Sequence, residues 1–175
     1  MGEQLDADGG LSGRTAAADT GGVGGKAAGS PGSKTNERQD AAPVRIFNPA
    51  TIAKPTPGYS QVPEISRGKV VFIAGPVALH RSGNLVGKDD FSAQVQQVFE
   101  NLKAEVEASG GDLKSGGLNY YCAERVDPAQ IPAVREIRDK YVHTVNPTTC
   151  TFVVVQRLVR PEWRIEVEAV AVVKK

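Results

Sequence analysis

The chain is poor in the residues that usually announce a mechanism. It has two cysteines, Cys122 and Cys150, too few for a disulfide framework or a cysteine-built metal cluster. Its two histidines, His80 and His143, lack metal-ligand spacing and read as solvated loop residues, so no metal site is expected. Lysine plus arginine number 21 against 20 acids. Such near-neutrality gives no electrostatic reason for nucleic acid or an anionic membrane as partner. No run of about 18 apolar residues occurs, so nothing is expected to span a bilayer. The opening residues lack the basic-then-apolar layout of a secretory signal, and Glu3, Asp6 and Asp8 speak against an acid-poor transit peptide. Asp6 stands where a myristoylation pattern begun at Gly2 needs Ser or Thr. The "GGVGG" run has no strand before it and is no nucleotide loop. These absences lead to the expectation of a reduced, cytoplasmic protein.

What is present divides into two parts. The first 40 residues hold 10 of the chain's 19 glycines and no aromatic residue. Such a segment cannot bury enough apolar surface to offset its ordering entropy, so residues 1–43 are read as a disordered tail. Residues 44–175 are read as one domain. A domain of that size buries about two-thirds of its chain surface, enough for a core.

Within the domain, "RIFNPATIAKPTPGYSQVPEISRG" reads as a short edge strand and then a long loop reaching Tyr59. "KVVFIAGPVAL" is a strand broken or bulged at Gly75-Pro76, and "RSGNLVG" turns into a further short strand. Asp89 or Asp90 then caps a helix whose Phe91, Val95, Val98, Leu102 and Val106 form one apolar stripe. Gly110-Gly111 ends it. "GGLNYYCAERV" is the next strand. "DPAQIPAVREIRDKYVHTV" is a second helix, capped by Asp127, with Pro128 in its first turn and Ile131, Val134, Ile137 and Tyr141 on one face. Two strands, joined by a Pro-containing turn, complete the chain. The expected order is β-β-β-α-β-α-β-β, with two helices on one face of a mixed six-stranded sheet. Two helices leave the other face bare, so the sheets are expected to meet in an oligomer or to curve into a barrel.

The last strand poses the functional question. In "RIEVEAVAVV", Ile165, Val167, Ala169 and Ala171 share one face, and Glu166, Glu168, Val170 and Val172 the other. Pattern alone leaves two readings open: both acids sit at a solvated strand end, or one stands at the rim of a cleft as a base, proton donor or water anchor.

Three stretches carry a family resemblance: "NPATIAKPTPGYSQ", "VVFIAGPVALHRSGNLVGKDDFSAQVQQVFENLKAEVEASGGDL" and "PTTCTFVVVQRLVRPEWRIEVEAVAV". Together they span about 120 residues. The second is the most specific, with its Gly-x-Leu-Val-Gly turn and its Asp-x-x-x-Gln-x-x-x-x-x-Glu-Asn-Leu-Lys helix. The chain resembles the Rid family, the reactive intermediate deaminases also called the YjgF family. The resemblance implies an α+β, chorismate-mutase-like fold, a homotrimer with inter-subunit clefts, a small-molecule substrate and no cofactor. Well-studied members hydrolyse reactive enamines and imines made by pyridoxal-phosphate enzymes. Others have been described as ribonucleases or translation inhibitors, which the near-neutral charge here does not support.

Carried over position by position, the resemblance makes Tyr59 the loop tyrosine of the cleft and Glu166 its catalytic carboxylate. Ala74, followed by Gly75, falls where the family has a serine, and Arg135 where it has an asparagine. The family's arginine falls at Thr149, or at Cys150 if the gap is placed differently. A threonine hydroxyl cannot reproduce an arginine's bidentate grip on a substrate carboxylate, so amino-acid-derived enamines fit this chain poorly. Arg135 or Arg138 would supply a replacement cation; alternatively both belong to a charged helix face paired with Glu136 and Asp139. Three readings stand: a Rid-type imine or enamine hydrolase, a biosynthetic enzyme of the same fold carrying out another water addition, dehydration or cyclisation, and a non-catalytic trimer that binds small molecules or proteins.

Overall fold

A computed structural model describes residues 43–173. The glycine-rich tail expected over 1–43 lies outside the described residues, apart from Pro43 at its edge. Along the chain come β1 (Val44–Phe47), β2 (Val62–Ile65), β3 (Lys69–Ile73), α1 (Phe91–Ala108), β4 (Gly116–Ala123), a 3-10 turn (Pro128–Gln130), α2 (Pro132–Arg138), β5 (Thr149–Val155) and β6 (Ile165–Val173).

The strands form two sheets rather than the single six-stranded sheet expected. β1 and β2 make an antiparallel hairpin, and the main sheet has the order β3-β6-β4-β5. β6 runs antiparallel to both its neighbours, whereas β4 and β5 are parallel. One bridge, Ser60 with Thr149, ties the long loop after β1 to the edge of the main sheet. β2 lies in the Pro-rich, polar stretch beyond the long loop, and it pairs only with β1, where Pro63 is tolerated. The strand expected in "RSGNLVG" reduces to the bridge between Leu79 and Leu85. β5 and β6 are consecutive in the chain but not neighbours, since β4 lies between them.

The helix α1 forms as its pattern requires. The Asp90 carboxylate accepts from the Ala93 N–H at 3.0 Å, capping the first turn. Phe91, Val95, Val98, Leu102 and Val106 are all fully buried, each contributing about 1.5–3 kcal/mol by leaving water. They cover the face of the sheet lined by Leu118, Tyr120, Ile165, Val167, Ala169 and Ala171. The second helix is shorter than expected. Asp127 does cap, accepting from the Ala129 N–H, but the turn it starts is a 3-10 turn. Pro132 lacks an amide hydrogen, so the helix restarts there and runs seven residues. Cys122 is core, as expected, and His80 and His143 are exposed.

Two features fix β6 in place. Gln94, fully buried, donates through Nε2 to the carbonyls of Gly87 and Glu162 and accepts at Oε1 from the Arg164 N–H. It thus clasps the chain at the residue before β6. At the strand's other half, Gly116 has φ +136°, and a Cβ there would lie 1.8 Å from the Val170 carbonyl oxygen. Only glycine allows β4 to approach β6 so closely. Gly116→Ala is expected to lower stability by about 3 kcal/mol or more, read as a fall in the denaturation midpoint at unchanged slope.

Candidate active site

The alternation along β6 sets the site. Ile165, Val167 and Ala169 are buried under α1, so Glu166 and Glu168 emerge on the opposite face, half-buried. That face carries Asn119 and Tyr121 from β4 directly across, Asn119 paired with Glu168 and Tyr121 with Glu166. The Asn119 side-chain amide donates to Glu168 Oε1 at 2.7 Å, and the Tyr121 hydroxyl donates to the same oxygen at 3.0 Å. No cation answers Glu168 among the described residues; two neutral donors do. The bond to Glu168 in turn holds the Tyr121 proton, pushing the phenol pKa up.

Glu166 differs. Partial burial pushes its carboxyl above the usual 4.5, and the negative charge of Glu168 pushes it further the same way. It rests against the chain just after β3: a Cβ on Gly75 would stand 2.6 Å from its Cγ and 2.7 Å from Oε1. Gly75 is therefore the space the carboxyl occupies. Ala74, its neighbour, is exposed.

The other expected site residues gather elsewhere in the chain. Tyr59, Thr149 and Cys150 line one cleft of about 320 Å³ with Ser60, Gln61 and Asn119. No charged side chain lines it, and Glu166 is not part of its wall. Asn119 links the two places, since it lines this cleft and bonds Glu168. Arg135 points to neither carboxylate. Its guanidinium lies against Gly58, where a Cβ would be 2.9 Å from Cζ, and its Nε is 3.8 Å from Asp139. The expected site residues thus fall in two separate places, Glu166–Gly75 and Tyr59–Thr149–Cys150.

Two features were not singled out from sequence. Asn119 and Tyr121 alternate correctly in "GGLNYYCA", but only the β4–β6 register shows that they face Glu168. Arg138 was grouped with Arg135 on a charged face, yet it is buried, 7 % exposed. Its spacing of four from Val134 puts it on the apolar stripe, and that signal was available. Among the described residues no group of three His, Cys, Asp or Glu could hold a metal ion, and no helix is long and apolar enough to cross a membrane.

Comparison with known proteins fits this arrangement to a family. The family profile described as Endoribonuclease L-PSP matches residues 50–173. A 2-iminobutanoate/2-iminopropanoate deaminase of Dermatophagoides farinae is 25 % identical over 134 residues, covering 76 % of this chain and 99 % of that protein. A crystal structure from Yersinia pestis, described as a conserved Rid-family protein of unknown function, is 33 % identical with a TM-score of 0.64, covering 75 % of this chain and 100 % of that one. RidA from Psychrobacter is 25 % identical with a TM-score of 0.53, at 76 % and 100 % coverage. The chain belongs to the Rid (YjgF) family and has its fold, two helices against mixed strands.

The carboxyl pair makes a definite titration prediction. Glu166 is expected to titrate above 4.5 by NMR, and Glu168→Gln is expected to move it down by removing the neighbouring charge. Because a raised carboxyl favours its neutral form in the fold, its ionisation destabilises the fold as pH rises. Glu166→Gln should therefore raise the melting temperature at neutral pH, with the gain fading below pH 4.5, the unperturbed value. A melting temperature that moves equally at both pH values contradicts the assignment.

Proposed function

We propose that this chain hydrolyses a reactive imine or enamine to a carbonyl compound and ammonia, with Glu166 as the proton-transfer group. The observation that carries the reading is the Glu166 carboxyl, half-buried, raised in pKa and seated in the space left by Gly75. A carboxyl poised to hold or release its proton suits both halves of such a reaction. As an acid it gives a proton to the enamine carbon or imine nitrogen. As a base it takes one from the water that attacks the iminium carbon. The resulting carbinolamine expels ammonia as the proton returns to nitrogen, so water is the only co-reactant. Imines hydrolyse readily in water, so positioning supplies much of the acceleration.

The substrate class follows from the Tyr59 cleft. Thr149 stands where the resemblance places an arginine, and no charged side chain lines the cleft. Neutral substrates fit it better than carboxylates. The same lining speaks against RNA cleavage there, since phosphates call for cations. It is also what favours a second reading, in which the cleft hosts another water addition or dehydration on a neutral intermediate. The two half-sites of one protomer would be joined across subunits of a homotrimer. The open sheet face supports this: Phe72 is 80 % exposed and Val70 and Val153 are partly exposed on it.

Ammonia release is measured from imines generated in place by a pyridoxal-phosphate dehydratase or by oxidation of neutral amines. The chain should accelerate it, more for neutral than for carboxylated imines. Glu166→Gln should lose about 10²-fold in rate, and Gly75→Ala should lose activity with little loss of stability, because it displaces only a side chain. Wild-type turnover by Glu166→Gln would overturn the reading. Sedimentation should give three times the 18.5 kDa chain mass, and Phe72→Asp should give single subunits.

A further inference from the structure

A separate pocket of about 360 Å³ lies between α2 and β5, on the helix side of the main sheet. Ile131, Val134 and Phe152 give it apolar walls, and Tyr120, Arg138 and Cys150 give it polar groups. It shares only Cys150 with the Tyr59 cleft. Two observations mark it as a place made for a ligand. Tyr120 is 2 % exposed, and its hydroxyl has no hydrogen-bond partner. Buried hydroxyls are nearly always paired, because an unmet one has lost water and gained nothing. Next to it stands Arg138, itself buried, whose Nε and Nη2 both donate to Asp139 Oδ1 at 3.0 and 2.6 Å. The guanidinium also stands near enough to the Tyr120 hydroxyl and the Cys150 thiol to act on both.

The charge balance selects the ligand. Arg135 and Arg138 both line the pocket. Asp139 is the carboxylate that pairs with them, at 3.8 Å and 2.6 Å. One positive charge is left over, beside apolar walls. Burial pushes the Tyr120 phenol and the Cys150 thiol up, and the charge of Arg138 opposes the rise in both. Both groups therefore remain uncharged at neutral pH, and the tyrosine keeps a proton to donate.

We propose that this pocket binds a small monocarboxylate with an apolar body, the carboxylate accepting hydrogen bonds from Arg138 and Tyr120 and the body lying against Ile131, Val134 and Phe152. A guanidinium and a phenol converging on one carboxylate make charge-assisted bonds that a neutral ligand cannot match. At this volume the pocket takes a small molecule rather than a peptide. The assignment does not rest on imine hydrolysis, which concerns the other face of the sheet.

Calorimetric titration of the full chain with 3-phenylpropanoate and with 3-phenylpropanamide tests it. The acid should bind saturably, one per chain, and the amide about tenfold more weakly or worse. Tyr120→Phe should weaken the acid about fivefold or more while leaving the melting temperature unchanged or higher, since it deletes an unmet hydroxyl. Arg138→Gln should abolish binding. Should that variant fail to fold, Tyr120→Phe and the acid–amide comparison decide. Glu166→Gln should bind the acid as well as the unaltered chain does. Equal affinity for acid and amide, no saturation at millimolar acid, or unchanged binding by Tyr120→Phe would each overturn the proposal. So would loss of binding in Glu166→Gln, which would place the ligand at the other face.

Discussion

The register of β6 is the constraint on which the rest depends. Side chains on a strand alternate faces, so a slip of one residue would drive Glu166 and Glu168 under α1 and put Ile165 and Val167 in water. Two devices at opposite ends of the strand prevent it. The Gln94 amide holds the chain just before the strand by bonds to the Glu162 carbonyl and the Arg164 N–H, anchored in turn to the Gly87 carbonyl, and Gly116 admits the Val170 carbonyl to a place no side chain could share. Both lie on the helix side of the sheet, away from the carboxylates they position.

Given that register, the chemistry divides itself. Two adjacent acids on one face cannot have equal surroundings when only one is met by donors. Asn119 and Tyr121 bond Glu168, so Glu168 acts as a fixed negative neighbour. Glu166, seated against Gly75, is the one whose proton affinity is raised. The pair resembles other sites in which unequal environments give two carboxyls different tasks. On the reverse face the same sheet presents Tyr120 and Cys150 towards α2. The parity of β4 and β5 thus places an uncharged cleft and a cationic pocket on the two sides of one sheet, meeting at Cys150.

Much of this was legible in the sequence, and what was not has physical reasons. The stripe of α1, a cap at Asp89 or Asp90, the two-faced β6 and the cap at Asp127 follow from local pattern and residue type, and all appear in the fold, with Asp90 the α1 cap. β2 was hidden in a Pro-rich, polar stretch, and the length of α2 was overestimated because Pro132 interrupts a pattern that otherwise looks continuous. The partition into two sheets was not readable because it depends on how a long proline-rich loop is anchored, which occurs at one bridge. For the site, Glu166 and Glu168 stood out, but their partners required the cross-strand register, which a single sequence does not state. Arg138 was legible in principle by its spacing, yet a charged residue in a charged run reads as surface until the opposing strand is known.

The main sheet also leaves a liability that a newly made chain carries off the ribosome. β3 is an edge strand, and it bears Val70 and an almost bare Phe72. Such an edge invites sideways pairing with any other extended chain. Lys69 at its start and Pro76 just past its end guard it, as charge and proline commonly guard aggregation-prone strands. The guard is partial, so recovery of the protein from denaturant should depend on how concentrated and how quickly diluted it is, a trait set by the exposed side chains of one edge strand.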